Sequence, residues 1–289
     1  MTLSILVAKS LASISGSLAT IPSPSRNSIH IGPLRLTAYG LLVATGVAVA
    51  FKIAMVRAEK RGMDPALVEK ILVRMVLFGF LGARLAYVST HLGSFSEEPW
   101  KVIAIWEGGL AIFGGLLVGA ITLIWLCRRH GLSAPLLIDS VIPGLPIAQA
   151  IGRWGNYFNQ ELYGTPTDLP WGLVIDREPS PVHPTFLYES LWNIALAFVL
   201  FRIERKFPSI RGRLIALYLI GYSAMRFLLE LIRTDTTFRF LGLSRNGWVS
   251  IGAMLLGLAL LKWWHPSLPQ APEVDQSLIS DAEKTTGAD

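Results

Sequence analysis

Residues Leu136 to Gly164 read LLIDSVIPGLPIAQAIGRWGNYFNQELYG. The first part, Leu136 to Ile151, is an apolar run. The second, GRWGNYFNQELYG, sets Arg153, Asn156, Asn159, Gln160 and Glu161 among three glycines and the aromatics Trp154, Tyr157, Phe158 and Tyr163. A cation, carboxamides and an acid are costly at the mouth of a membrane segment, so a cluster there points by default to a functional site. The plainer reading is an interfacial aromatic belt with helix caps. A belt needs aromatics, but it does not need Arg, Asn and Glu beside them.

Composition agrees with a membrane setting. The chain has 289 residues, 52% hydrophobic and only 16% charged, with a mean hydropathy of +0.49. A soluble domain carries about 25% charged residues. Seven stretches are read as spans: Leu34–Val56, Ile71–Val88, Val102–Cys127, Ala134–Ile151, Thr185–Phe201, Leu214–Ile232 and Trp248–Trp264. Each approaches the roughly 20 apolar residues that a bilayer requires. The predicted fold is therefore an all-α polytopic membrane protein with about seven transmembrane helices. Residues 1–33, Ser-rich and broken by prolines, read as an N-terminal extracytoplasmic tail, and 34–264 as the transmembrane unit. The polar stretch 265–289 reads as a disordered cytoplasmic tail. Residues 152–184 form a long loop that five prolines predict to be irregular. Gly115 and Gly119 form a small-xxx-small pair suited to close helix packing.

The loops after the first, third and fifth spans hold Arg57, Lys60, Arg61, Lys70, Arg128, Arg129, Arg202, Arg205, Lys206, Arg211 and Arg213. The other side holds Lys101, Arg153, Arg177, Arg233, Arg239 and Arg245, spread over longer loops. The positive-inside rule then puts the N-terminus outside and the C-terminus in the cytoplasm. In that frame Tyr39, Arg84, Arg153, Glu161, His183, Tyr188, Glu189, Arg226 and Glu230 all fall toward the outer leaflet. Tyr222, Arg226, Glu230 and Arg233 are spaced to share one helix face. Self-neutralising ion pairs would have no reason to gather in one leaflet. A shared site explains the pattern, and two guanidinium forks, Arg153 and Arg226, suit a phosphodiester.

Several chemistries find no support. The net charge of +6 is a matter of membrane topology and gives no sign of nucleic-acid binding. The five histidines show no metal-ligand spacing, and no Gly-rich phosphate loop appears. No G-x-S-x-G elbow is present. The one cysteine, Cys127, excludes an internal disulfide and falls at the cytoplasmic end of its span.

The stretch GRWGNYFNQELYG resembles the signature of the prolipoprotein diacylglyceryl transferases. So do IPSPSRNSIHIGPLRLTAYG from Ile21, GARLAYV from Gly82, WEGGLAIFGG from Trp106, HPTFLYES from His183 and the Tyr222–Arg226–Glu230–Arg233 face. The family moves sn-1,2-diacylglyceryl from phosphatidylglycerol to the lipobox cysteine in the signal peptide of a prolipoprotein, leaving a thioether and releasing glycerol-1-phosphate. The resemblance implies a bacterial cytoplasmic (inner) membrane location, no cofactor and no metal. It makes Arg153 and Arg226 the essential arginines, with Asn156, Glu161, Gly164, Tyr39, Glu230, Tyr222 and Arg84 around phosphatidylglycerol. His183, Tyr188, Glu189 and Arg233 support them. One departure stands out: many members carry a histidine proposed as base where this chain has Phe113. The alternative is a non-catalytic phospholipid-binding or transport protein using the same arginines.

Overall fold

The computed structural model describes residues 20–24, 26–31, 34–105, 108–234 and 239–268. Eight α-helices lie among them: α1 (Ala38–Glu59), α2 (Pro65–Thr90), α3 (Ile112–Arg129), α4 (Ala134–Val141), α5 (Gly144–Asn159), α6 (Thr185–Lys206), α7 (Leu214–Glu230) and α8 (Arg245–Trp263). Six rods are long and apolar enough to cross a membrane, with α4 and α5 together forming one of them, Ala134–Asn159. Helix α7, at 17 residues, spans about 25 Å. The set agrees with the expectation of about seven spans, and the protein is a multi-pass membrane protein.

Most span boundaries shift by a few residues from the sequence reading, and four of the shifts have a clear local reason. The third span is shorter than Val102–Cys127, because Gly108 and Gly109 take positive φ (89° and 75°) and break the helix. Ahead of α3 the chain makes a short 3-10 turn, Pro99–Ile103. The fourth span is split at Ile142–Pro143, since proline cannot donate the helical hydrogen bond. Its second half runs on to Asn159, so Arg153 and Asn156 belong to a helix and not to the loop predicted from residue 152. No proline interrupts it there, and Gln160, in the left-handed conformation with φ 51°, closes it. The first span begins at Ala38, where the Thr37 hydroxyl accepts the Gly40 N–H at 3.0 Å as an N-cap.

Short strands decorate one end of the bundle. Ser28–Ile31 (β2) pairs antiparallel with Leu34–Thr37 (β3). Ile21–Pro22 (β1) pairs parallel with Leu173–Val174 (β4). Arg239–Phe240 and Leu243–Ser244 (β5, β6) form a last hairpin. The expected N-terminal tail therefore has its described residues tied into the structure. The expectations for residues 1–19 and 269–289 lie outside the described residues.

Helices pack chiefly as α2 on α3, α1 on α5, α5 on α6 and α7 on α8. Gly115 lets α3 approach α2 closely: a methyl there would lie 3.1 Å from the Gly79 carbonyl oxygen. Apolar side chains Ile71, Leu72, Leu126 and Leu137 form a core where α1, α2, α3 and α4 meet. Leu196, Leu200, Leu214 and Tyr218 form another between α6 and α7. A third, Leu173, Ile175, Val182 and Phe186, lies under the 160–184 loop. That third core fixes the loop over the helix ends that carry the site.

Candidate functional site

The end of α5, the start of α6 and the end of α7 converge. Arg153 and Asn156 stand three residues apart on α5, and Arg153 Nη1 donates to Asn156 Oδ1 at 3.2 Å. Asn156 Nδ2 donates to Glu161 Oε1 at 2.9 Å, which also accepts from Asn159 Nδ2 at 3.1 Å. Glu161 is thus folded back onto the helix end that precedes it. Asn27, ahead of β2, donates to Asn159 Oδ1 at 3.2 Å. The loop beyond is drawn in by Gln160, which donates to Asp176 at 3.0 Å and accepts from its backbone N–H at 3.0 Å.

Glu189, on the first turns of α6, is the centre of the arrangement and is only 3% exposed. Its Oε1 accepts from Arg153 Nη2 at 2.5 Å and from the Tyr222 hydroxyl at 3.2 Å. Its Oε2 lies 4.0 Å from Arg226 Nη1, a buried nitrogen that makes no hydrogen bond. The other arm of Arg226 pairs with Glu230 at 3.1 Å, one turn on. Glu230 Oε1 accepts from Ser244 Oγ at 2.7 Å, which ties α7 to the N-cap of α8. Two permanently charged groups from different helices are held around one buried carboxylate, with a gap beside Arg226. In a low-dielectric setting such charges act strongly, and an uncommitted guanidinium nitrogen is a ready anion donor.

Other expected residues surround this centre. Tyr39 packs its ring on Gly155; a Cβ at Gly155 would lie 2.4 Å from Tyr39 Cδ2. Only glycine allows α1 and α5 to meet there. Gly164 is threaded between His183, whose Cβ would lie 2.8 Å from an added methyl, and the Ile232 carbonyl. It bridges Arg233, a buried residue just past the end of α7. His183 Nδ1 lies 3.2 Å from the Tyr188 hydroxyl, which accepts from Trp171 Nε1 at 2.9 Å. His183 is therefore committed to the rim of the loop.

Arg84 is the expected site residue placed elsewhere. Its guanidinium donates to the carbonyls of Val102, Gly108, Gly109 and Lys101. It holds the segment before α3 in place and has no described contact with Arg153 or Arg226. Arginine serves there because its fork meets several carbonyls at once. Phe113 lies in the first turn of α3 and is 63% exposed.

Sequence reading missed several participants. Tyr218 stacks on Tyr222, ring centroids 5.6 Å apart, and donates to Gln149 at 3.0 Å. Ser190 donates to the Ala150 carbonyl at 3.0 Å. Asn193, fully buried one turn beyond Glu189, brings a carboxamide that no described group meets. The four-residue spacing of Tyr218, Tyr222 and Arg226, and of Glu189 and Asn193, was the available signal. A cleft of about 1000 Å³ lies along β2, β3 and the start of α1, lined by Arg26, Asn27, Thr37, Leu41 and Phe158 among others.

Comparison with known proteins gives these residues a context. Residues 26–263 match the family model described as prolipoprotein diacylglyceryl transferase. The chain is 44% identical over 256 residues to phosphatidylglycerol–prolipoprotein diacylglyceryl transferase 2 of Streptomyces coelicolor, covering 84% of this chain and 80% of that one. It is 41% identical over 284 residues to the corresponding Frankia alni transferase, covering 94% and 75%. A Synechococcus elongatus relative is 39% identical over 277 residues, covering 91% and 95%.

Proposed function

Because the chain belongs to the prolipoprotein diacylglyceryl transferase family, we propose that Arg153 and Arg226 hold the phosphodiester of phosphatidylglycerol while its diacylglyceryl group passes to a prolipoprotein cysteine. The activity is the first step of lipoprotein maturation. The observation that carries the site assignment is the convergence of both arginines on Glu189, with Arg226 Nη1 buried, unbonded and 4.0 Å from the carboxylate.

The chemistry follows from charge. Sulfur attacks the glyceryl carbon that bears the phosphate ester; the carbon–oxygen bond breaks, and glycerol-1-phosphate leaves with an additional negative charge. Guanidinium groups fixed beforehand stabilise that charge as it grows. The nucleophile arrives on the substrate, so the enzyme supplies none of its own. Asn156 orients Arg153, and Glu161 in turn holds Asn156. Glu230, anchored by Ser244, orients Arg226. Tyr39 and Gly164 shape the walls. The cleft bounded by β2, β3, α1 and Phe158 is a lateral entrance for the lipid, with Arg26 at its headgroup end.

In this reading the site faces the extracytoplasmic leaflet of the bacterial inner membrane. The basic end of the bundle, with Arg57, Arg61 and Arg213, lies in the cytoplasm, in keeping with loop charge. The lipobox of the signal peptide meets the site from the bilayer. The unit comprises 34–264, with 1–33 outside and 265–289 inside.

The test is turnover by purified protein in lipid nanodiscs, given labelled phosphatidylglycerol and a lipobox peptide. Release of glycerol phosphate with thioether formation is expected, and Arg153→Ala abolishes both. Binding of lipid without release would leave a carrier in place of an enzyme.

A further inference from the structure

Thiol activation needs a proton acceptor, and Phe113 offers none. The described groups nearest the two arginines narrow the choice. His183 is held at the rim by Tyr188. Glu161 accepts two carboxamide donors, and Glu230 is taken up by Arg226 and Ser244. Glu189 differs. Its Oε1 is occupied by Arg153 and Tyr222, while Oε2 accepts no hydrogen bond among the described residues and faces Arg226 Nη1 across 4.0 Å. An acceptor and a donor, neither making a hydrogen bond to a described residue, thus face each other at the centre of the cluster.

Building on the phosphodiester-binding reading above, we propose that Glu189 Oε2 takes the proton of the substrate thiol. The charged groups facing Glu189 are Arg153 from α5 and Arg226 from α7, with the Tyr222 hydroxyl also from α7. In the resting site the two arginines share the Glu189 carboxylate, Arg153 on Oε1 and Arg226 facing Oε2. When a phosphodiester enters, it competes for the same guanidinium groups, and Glu189 loses part of its compensating charge. The open oxygen is then left to the thiol that arrives beside it, within reach for proton transfer. As the carbon–oxygen bond breaks, the leaving phosphate gains charge and draws the arginines further. Substrate binding and proton transfer are coupled through the shared arginines.

The step balances. The thiol proton passes to Glu189, sulfur forms its bond to the glyceryl carbon, and the ester oxygen departs with the electron pair of the broken bond. The products are thioether, protonated Glu189 and glycerol phosphate dianion. The proton then leaves with the phosphate monoester, whose second ionisation lies near pH 6.

Glu189→Gln keeps an acceptor for Arg153 and Tyr222 but cannot take a proton. In nanodiscs at neutral pH it should bind phosphatidylglycerol within about threefold of wild type, while turnover of a cysteine peptide falls about 10²- to 10⁴-fold. A selenocysteine peptide, already ionised at neutral pH, should be turned over by Glu189→Gln within about tenfold of wild type, since the base is then dispensable. Equal losses for both peptides, or no loss for cysteine, overturn the assignment. Should the amide variant misfold, Glu189→Asp decides: its cysteine-to-selenocysteine rate ratio must shift, and an unchanged ratio refutes the proposal. If wild type releases no glycerol phosphate, it is the underlying functional reading that fails. If wild type works, Arg153→Ala binds no lipid and Glu189→Gln matches wild type, only the base is wrong.

Discussion

The two ends of this bundle each hold two arginines around one glutamate. At the basic end, Arg57 and Arg61 bind separate oxygens of Glu204, Arg57 at 2.6 Å and Arg61 closer still. Arg57 also donates to the Asp139 carbonyl at 2.9 Å, and Arg61 to Ser140 Oγ at 2.7 Å. The Asp139 carboxylate itself caps α7, accepting N–H groups of Gly212 and Leu214 at 2.5 and 3.0 Å. Both carboxylate oxygens of Glu204 are matched to a cation. At the other end Glu189 has one oxygen engaged and one open, and Arg226 keeps a nitrogen unbonded. Each end has a buried guanidinium nitrogen without a hydrogen bond, Arg57 Nε and Arg226 Nη1; the difference lies in the carboxylate, closed at Glu204 and half open at Glu189. A closed triad fastens helix ends, whereas an open one retains binding capacity for a ligand.

Breaking each triad should separate these roles. Arg226→Ala is expected to give the largest effect: turnover per folded molecule falls about 10³-fold in the nanodisc assay, with some loss of thermal midpoint because Glu230 and Glu189 lose a cation. Arg226→Lys should sit between alanine and wild type, because the charge stays and the fork is lost. Glu204→Ala should lose stability without losing turnover, leaving two half-buried cations uncompensated at a cost of roughly 3 kcal/mol or less. A lowered thermal midpoint in detergent checks it, with turnover per folded molecule within about twofold of wild type. A Glu204 variant that stays stable but loses turnover would erase the contrast between the ends. Phe113→His sharpens it least. If the open triad already contains its base, a histidine added at that exposed position changes turnover by less than about threefold.

Much of this was legible in the chain. Apolar runs separated by basic loops defined the spans, and the segregation of polar groups picked out the end that carries the site. Arg153, Asn156, Glu161, Arg226, Glu230 and Glu189 do meet. The central position of Glu189 was not legible, because a carboxylate near a helix start reads equally as a cap partner. Arg84 shows the opposite failure. An arginine near the outer end of a span looks like a ligand-binding group, yet its donors are used by the carbonyls of Lys101, Val102, Gly108 and Gly109. The closed triad escaped notice because the sequence reading ended the spans at Val56 and Phe201, which left Arg57, Arg61 and Glu204 in basic loops, where charge reports topology first; Arg57 and Glu204 in fact lie on α1 and α6. Helix ends within the bundle depended on Pro143 and on the left-handed Gln160, which hydropathy does not register.

The bond from Ser244 to Glu230 and the bond from Tyr157 to the Pro22 carbonyl, 2.6 Å, mark the first and last segments that build the site. Ribosomal synthesis delivers these segments far apart in time. Pro22 emerges early but finds Tyr157 and β4 only after four spans have been inserted. Glu230 gains its Ser244 partner only when the hairpin before α8 appears. Contacts of such sequence separation form late, since loop closure precedes their reward. A nascent chain stalled before α8 would carry both arginines yet lack the brace on one of them. The bracing of the cluster is therefore completed only when the last helix is in place.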